Sequence, residues 1–146
     1  MKDFEQLSHT ADIKIRVYGS TKEELFVNAL AGMFQTIVPH ADGCTQKDGR
    51  LVCPILPAKR TVQEQGPDAH ALLVNFLSEA LYLSDVHNEA YLDADIEHLS
   101  NTSICATLKG VPVTGFDVVE IKAVTYHDLF IEHTNNEWVA EIVFDI

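Results

Sequence analysis

The sequence predicts an α+β fold, a two-layer sandwich in which two main helices cover one face of a mostly antiparallel sheet. Two segments of the 146-residue chain repeat apolar pairs every four residues, as amphipathic helices do. The other apolar runs are short, rich in β-branched residues and separated by turn residues, as strands are. With 47% hydrophobic residues the chain can build one core, so we predict a single domain over residues 1–146.

Two short strands are predicted at the N-terminus, from Phe4 to Leu7 and from Asp12 to Tyr18. In the second strand Ile13, Ile15 and Val17 alternate with charged residues. Because neighbouring side chains of a strand point to opposite faces, this alternation predicts a strand that is buried on one face.

The first helix is predicted to begin after Gly19. Ser20 with Glu23, and Thr21 with Glu24, have the spacing of a capping box, and the proline after Val38 suits an end near that residue. Its apolar face comprises Leu25, Phe26, Ala29, Leu30, Met33, Phe34 and Ile37.

The segment from His40 to Gly49 is polar and predicts a loop. Leu51, Cys53 and Ile55 alternate but are interrupted by prolines, which favours an edge strand or an irregular one.

The second helix is predicted to open at Gly66-Pro67-Asp68. Its apolar face repeats the same paired spacing in Leu72, Leu73, Phe76, Leu77, Ala80 and Leu81. From Tyr91 to the end, short runs with β-branched residues between turn residues predict a meander of about four strands.

The charge of the chain limits its partners. Ten Lys and Arg stand against 22 Asp and Glu, a formal net charge of -12, so most of the surface should repel a phosphate backbone. We therefore expect no strong direct binding to nucleic acid, and instead a basic protein partner or bound cations.

No run approaches the roughly 18 apolar residues of a membrane-spanning helix, and the N-terminal residues lack the apolar core of a signal peptide. These features predict a cytoplasmic protein with no membrane contact. The three cysteines are odd in number and widely spaced, so Cys44, Cys53 and Cys105 are expected to be free thiols without a disulfide framework.

His9 and Asp12 lie in the short joint between the first two strands, where an imidazole and a carboxylate can point into one crevice. The alternative is that Thr10 and Asp12 satisfy backbone groups of a tight turn and His9 is an exposed ring. Spacing alone leaves both interpretations open.

The C-terminal strand ends in Asp145, followed by the terminal carboxylate of Ile146. If this strand pairs beside the first or second strand, both groups can approach Asp12 and form a cluster of hard oxygen ligands, suited to calcium or magnesium. A frayed, solvated end is the alternative.

Lys122 is a lone cation in a predicted strand of an acidic chain, available to neutralise a carboxylate or to meet an anion of a partner. A solvent-facing sheet lysine is the alternative. His127 and Asp128 are neighbours in the same predicted run and are expected to point to opposite faces, so they are not expected to act as a pair.

The sequence contains no GxGxxG, P-loop, GxSxG, HExxH or EF-hand pattern. Instead, four strings in order along the whole chain resemble the archease family: Phe4-x-x-Leu7-x-His9-Thr10-Ala11-Asp12-Ile13, Gly19-x-Thr21-x-Glu23-Glu24-Leu25-Phe26, Glu120-Ile121-Lys122-Ala123-Val124-Thr125-Tyr126-His127 and Phe144-Asp145-Ile146.

The resemblance implies an auxiliary protein of the RtcB-type RNA ligase, which joins tRNA halves and repairs broken RNA through a guanylylated histidine. Such proteins promote that guanylylation and multiple turnover and are not themselves enzymes. Carried onto this chain, the resemblance implies a metal site, usually calcium, at Asp12, Asp145 and Ile146, with functional contacts from Lys122 and His9. Two residues depart from the family pattern: Ser8 stands where the family commonly has an acidic residue before the histidine, and Lys14 stands where it often has a glycine.

Two other functions are compatible with the residues. A small metal-dependent hydrolase would use His9 as base and a cation on Asp12 to activate water, and it predicts turnover by the isolated protein. A broader RNA-modification chaperone would differ in its protein partners.

Overall fold

The computed structural model describes residues 2–8, 12–117 and 120–146. The α+β prediction is confirmed: two helices pack against sheets in which every described strand pair is antiparallel. The helices are α1 (Lys22–Thr36) and α2 (Ala69–His87). The strands are β1 (Phe4–Ser8), β2 (Asp12–Gly19), β3 (Pro39–His40), β4 (Thr45–Lys47), β5 (Arg50–Val52), β6 (Ala58–Gln65), β7 (Glu89–Leu99), β8 (Ser103–Pro112), β9 (Gly115–Phe116), β10 (Ala123–Val124), β11 (Phe130–Thr134) and β12 (Glu137–Asp145).

The first sheet has the strand order β1-β2-β12, and both β10 and β11 pair with the other edge of β12. The two N-terminal strands lie where the alternation predicted them. Ile13, Ile15 and Val17 of β2 are buried, while the residues between them lie on the opposite, more exposed face. The pattern therefore decides which face of this sheet meets the core.

The second sheet has the order β6-β8-β7. The predicted single meander after Tyr91 is therefore wrong, because β7 and β8 pair with β6 whereas β10, β11 and β12 join the first sheet. At Gly110 the strands of this sheet approach closely, and a Cβ there would lie 2.0 Å from the carbonyl oxygen of Ala90. Only glycine fits at that position.

The first helix begins as the capping pattern predicted. Thr21 is the N-cap, and its hydroxyl accepts a hydrogen bond from the backbone N–H of Glu24 at 3.1 Å. The Glu24 carboxylate accepts in return from the Ser20 hydroxyl at 2.9 Å. Residues Leu25, Phe26, Ala29, Leu30, Met33, Phe34 and Ile37 are buried as predicted.

The second helix has Asp68 as its N-cap, with a carboxylate oxygen 2.8 Å from the backbone N–H of Ala71. It ends at His87, and the C-cap residue Asn88 adopts the left-handed conformation (φ 55°) common after a helix. Neither helix in the described part of the chain is long and apolar enough to cross a membrane.

Both helices contact both main sheets, and their apolar faces meet in one buried cluster. A polar group ties β6 to β7 at its margin: Arg60 donates two hydrogen bonds to Glu89, at 2.9 and 3.0 Å, and the Tyr91 hydroxyl donates a third at 2.8 Å. The hydrogen bonds from Arg60 hold the pKa of Glu89 below its ordinary value, and burial raises the pKa of Tyr91.

The segment from His40 to Gly49, predicted as a loop, contains strand β4 and the turn of the hairpin β4–β5, at Asp48 and Gly49, with positive φ at both residues (52° and 78°). This is the geometry of a two-residue hairpin turn, for which Asp-Gly is well suited. The expectation of free thiols is wrong at two of the three cysteines, because this hairpin places Cys44 opposite Cys53 and they form a disulfide. Cys105 is a free thiol.

Candidate metal and partner site

The candidate site lies at one end of the first sheet. Asp12 is the first residue of β2 and Asp145 is the last residue of β12, and the antiparallel register places them directly opposite each other. Opposed residues of an antiparallel pair share one face of the sheet, with Cβ atoms about 4.5–5.5 Å apart. The fold thus brings together the two carboxylates that were predicted to approach.

Lys122 reaches the same sheet end through its backbone. Its N–H donates a 2.7 Å hydrogen bond to the carbonyl oxygen of Asp145, and the next residue, Ala123, is the register partner of Asp145. Thr125 anchors the segment further along, because its backbone N–H and its hydroxyl both donate to the Val143 carbonyl, at 3.0 and 2.9 Å. The Lys122 side chain is exposed at this position.

The carboxylates differ in exposure. Asp12 is half-buried, whereas Asp145 is exposed. Neither forms an ion pair with any residue in 2–8, 12–117 or 120–146. Ile146 packs its side chain partly against the core, which keeps the chain beside Asp145 at the sheet end.

Carboxylate oxygens on one sheet face are the donors that calcium and magnesium prefer, so the chemistry of Asp12 and Asp145 fits such a cation. Within the described residues, no group of three or more His, Cys, Asp or Glu side chains could hold a metal ion. A cation at this pair would therefore need further donors, such as Ile146, backbone carbonyls or water. His9 lies outside the described residues, and its role stays a prediction.

The same sheet face carries an ion-pair network next to Asp12. Lys14 lies two residues along β2, with its ammonium 3.6 Å from Asp128 and 3.7 Å from Glu141. Arg16 donates a 2.7 Å hydrogen bond from Nε to Glu141. Both cations are thus engaged by neighbouring carboxylates and leave the Asp12 and Asp145 pair unneutralised.

His127 and Asp128 lie closer together than predicted. They fall in a turn after β10, where Asp128 has a φ of 53°, and not in a strand. His127 Nε2 is 3.3 Å from a carboxylate oxygen of Asp128. The expectation that they point apart was wrong because it assumed strand geometry; the pair is exposed and Asp128 also contacts Lys14.

The sequence is similar to the archease family along nearly its whole length. The model of the Archease protein family (MTH1598/TM1083) matches residues 4–146. A protein archease of Methanosarcina mazei is 36% identical over 152 residues, covering 99% of this chain and 97% of the relative. A protein archease of Pyrococcus abyssi is 32% identical over 154 residues, covering all of both chains.

Solved structures share the fold. The solution structure of Methanobacterium thermoautotrophicum protein 1598 matches with a TM-score of 0.70 at 25% identity, over 100% of both chains. The crystal structure of a Thermotoga maritima archease, described as a "possible chaperone", matches with a TM-score of 0.58 at 20% identity, covering 97% of this chain and 96% of the other.

Proposed function

This chain belongs to the archease family, and from that premise we propose that it is an auxiliary protein of an RtcB-type RNA ligase and not itself an enzyme. In this proposal it promotes guanylylation of the ligase and its multiple turnover in tRNA splicing and RNA repair, in the cytoplasm. The description of the similar Thermotoga protein as a possible chaperone agrees with an assisting role.

The observation that carries the proposal is the opposition of Asp12 and Asp145, with the Lys122 backbone bonded to Asp145. This sheet end carries both signs of charge. Asp12 and Asp145 have no ion-pair partner among the described residues, and the exposed Lys122 lies next to Asp145. An enzyme that handles a nucleotide and metal ions presents the complementary chemistry.

The proposal gives the carboxylates and the lysine different roles, because their charges differ. Asp12, Asp145 and Ile146 hold a divalent cation, for which calcium is the proposed ion, and His9 supports the site. When bound, the cation supplies positive charge for phosphate oxygens. Lys122 contacts a phosphate of the nucleotide or an anionic group of the ligase when this end of the sheet docks at the nucleotide pocket.

Single-turnover guanylylation of the ligase from the same organism, with GTP and manganese, tests the proposal. Wild-type protein should accelerate the step, and Asp12→Asn and Lys122→Ala should each abolish most of the acceleration. Asp95→Asn is the matched control, because it removes one exposed carboxylate from β7, in the second sheet. No acceleration by folded wild-type protein would exclude the activator role, and turnover of a substrate by the isolated protein, lost in His9→Ala, would favour the hydrolase.

Calorimetry with calcium separates the metal site from the lysine contact. Asp12→Asn removes a charged ligand and should weaken calcium binding by at least about tenfold, since even the loss of an outer partner of a ligand costs that much. Lys122→Ala removes a positive charge, which can only repel calcium, so this variant should not weaken calcium binding. Equal calcium affinity in the wild type and Asp12→Asn would remove Asp12 from the ligand set.

A further inference from the structure

A groove runs along the second half of α2, between this helix and residues 120–124. It consists of two adjoining clefts of about 320 Å³ each, which share Leu81, Asp85, Glu120 and Ile121 in their walls. One cleft extends to Lys122. Lys122 thus lines the groove and, through its backbone N–H, is also bonded to Asp145 of the candidate site.

The floor and walls of the groove differ in chemistry. Ile121 is buried at 6% exposure and packs with half-buried Leu81 against the core, so the floor is apolar. Asp85 and Glu120 are exposed carboxylates on the walls, and neither is within ion-pair distance of a cation among the residues that the structure describes.

The solvent face of α2 beside the groove is more apolar than that of an ordinary surface helix. Tyr82 lines the groove and is 62% exposed, and Val86, one turn further on, is 52% exposed. The solvent face of a surface helix is normally polar, whereas exposed aromatic and aliphatic side chains mark protein contacts. This observation is independent of the two carboxylates.

We propose that this groove docks a segment of the partner ligase in which a lysine or arginine side chain lies among apolar residues. The methylene stem of such a side chain fits the apolar floor while its charged head meets Asp85 and Glu120, and an arginine can also stack on Tyr82. A nucleic-acid strand does not suit the groove, because both wall carboxylates repel phosphate. The inference rests on the proposed function and adds to it the surface that provides affinity.

In this proposal the groove residues provide affinity for the ligase, and the candidate site provides activation. Titrating the ligase with this protein distinguishes the two effects. Guanylylation is measured against the concentration of this protein, which yields a half-saturating concentration and a maximal rate. The variant Asp85→Asn/Glu120→Gln should raise the half-saturating concentration about tenfold at an unchanged maximal rate, because two exposed charge pairs are lost. Tyr82→Ala should act in the same direction, whereas Lys122→Ala should lower the maximal rate.

The matched control is Asp95→Asn/Glu97→Gln, which makes the same charge change on exposed residues of β7. This control should leave the half-saturating concentration within about twofold of the wild-type value. Raised salt screens the charge pairs, so it should reduce the difference in half-saturating concentration between wild type and the groove variant. A groove variant that behaves like this control overturns the docking inference while leaving the ligase role intact. A wild-type protein that gives no acceleration overturns both.

Discussion

Glu89 illustrates how a single charged side chain is accommodated inside this fold. The residue is only 7% exposed, and its carboxylate accepts hydrogen bonds from Arg60 and Tyr91. Because these bonds favour the charged form, Arg60 first among them, the pKa of Glu89 is lowered in the folded state. The group therefore stabilises the fold above the ordinary glutamate pKa of about 4.3, and the contribution is lost as pH falls through the folded value.

Arg60→Met should destabilise the protein at neutral pH, but by less than the loss of one partner of a fully buried pair, because the Arg60 side chain is 34% exposed. The variant leaves a buried carboxylate without its cation. At a pH below the lowered folded pKa of Glu89 the wild-type carboxylate is protonated as well, so the difference in free energy of unfolding between wild type and variant should be smaller than at neutral pH. Urea unfolding at both pH values measures this, with Lys59→Met as the exposed control on the same strand. If the difference in free energy of unfolding between wild type and Arg60→Met does not change with pH, the charged Glu89 carboxylate is not what Arg60 stabilises.

The hairpin β4–β5 is attached to the elements that lead to the candidate site. Arg50 donates two hydrogen bonds to Asp3, at 2.7 and 2.6 Å, and its guanidinium lies 4.2 Å from the ring centroid of Phe4 in β1. On the other side Gln35 of α1 exchanges two hydrogen bonds with the backbone of Leu51. The disulfide closes the base of this hairpin.

Reduction of the Cys44–Cys53 disulfide should lower the free energy of unfolding by up to about 2–3 kcal/mol, the entropy that a short covalent loop removes from the unfolded chain. Urea unfolding with and without a dithiol reductant measures the change, and Cys44→Ser/Cys53→Ser should match the reduced protein and no longer respond. Cys105→Ser is the control and should respond like wild type. If reductant has no effect on wild type, the disulfide does not contribute to stability.

The molecule as a whole is strongly acidic, with a net charge of -12. The ion pairs of the first sheet neutralise part of this charge locally, whereas the groove and the Asp12 and Asp145 pair keep unpaired carboxylates among the described residues. Such a charge distribution favours cations and basic protein surfaces over polyanions.

We accordingly expect no binding of isolated tRNA halves at physiological salt. Fluorescence anisotropy with labelled RNA should show no change at micromolar protein, and Lys122→Ala should behave identically, because one lysine cannot offset the net charge. Addition of the ligase serves as the positive control. Micromolar affinity of the protein alone for RNA would show that a basic surface outweighs the net charge.

The local pattern was sufficient for the two helices, for β1 and β2, and for the buried face of β2, because cap spacing and apolar periodicity act over a few residues. The strand β6 gave no such pattern. Of its residues only Val62 is buried apolar, and its inward-facing Arg60 is satisfied by Glu89, a partner in a distant strand. The Asp48-Gly49 pair in the sequence is typical of a hairpin turn. The strand before it, β4, was not predicted because its residues are polar and show no apolar alternation.

The amino-acid sequence by itself determined the α+β class and the helices with their caps, and it singled out Asp12, Lys122 and Asp145 as candidate residues. Only the tertiary structure decided that Asp12 stands opposite Asp145, that Lys122 joins them, and that Cys44 pairs with Cys53. It also decided that the C-terminal strands divide between two sheets and leave a groove beside α2. The physical reason is that strand register and sheet partners depend on contacts between segments far apart in the chain, which no local periodicity encodes.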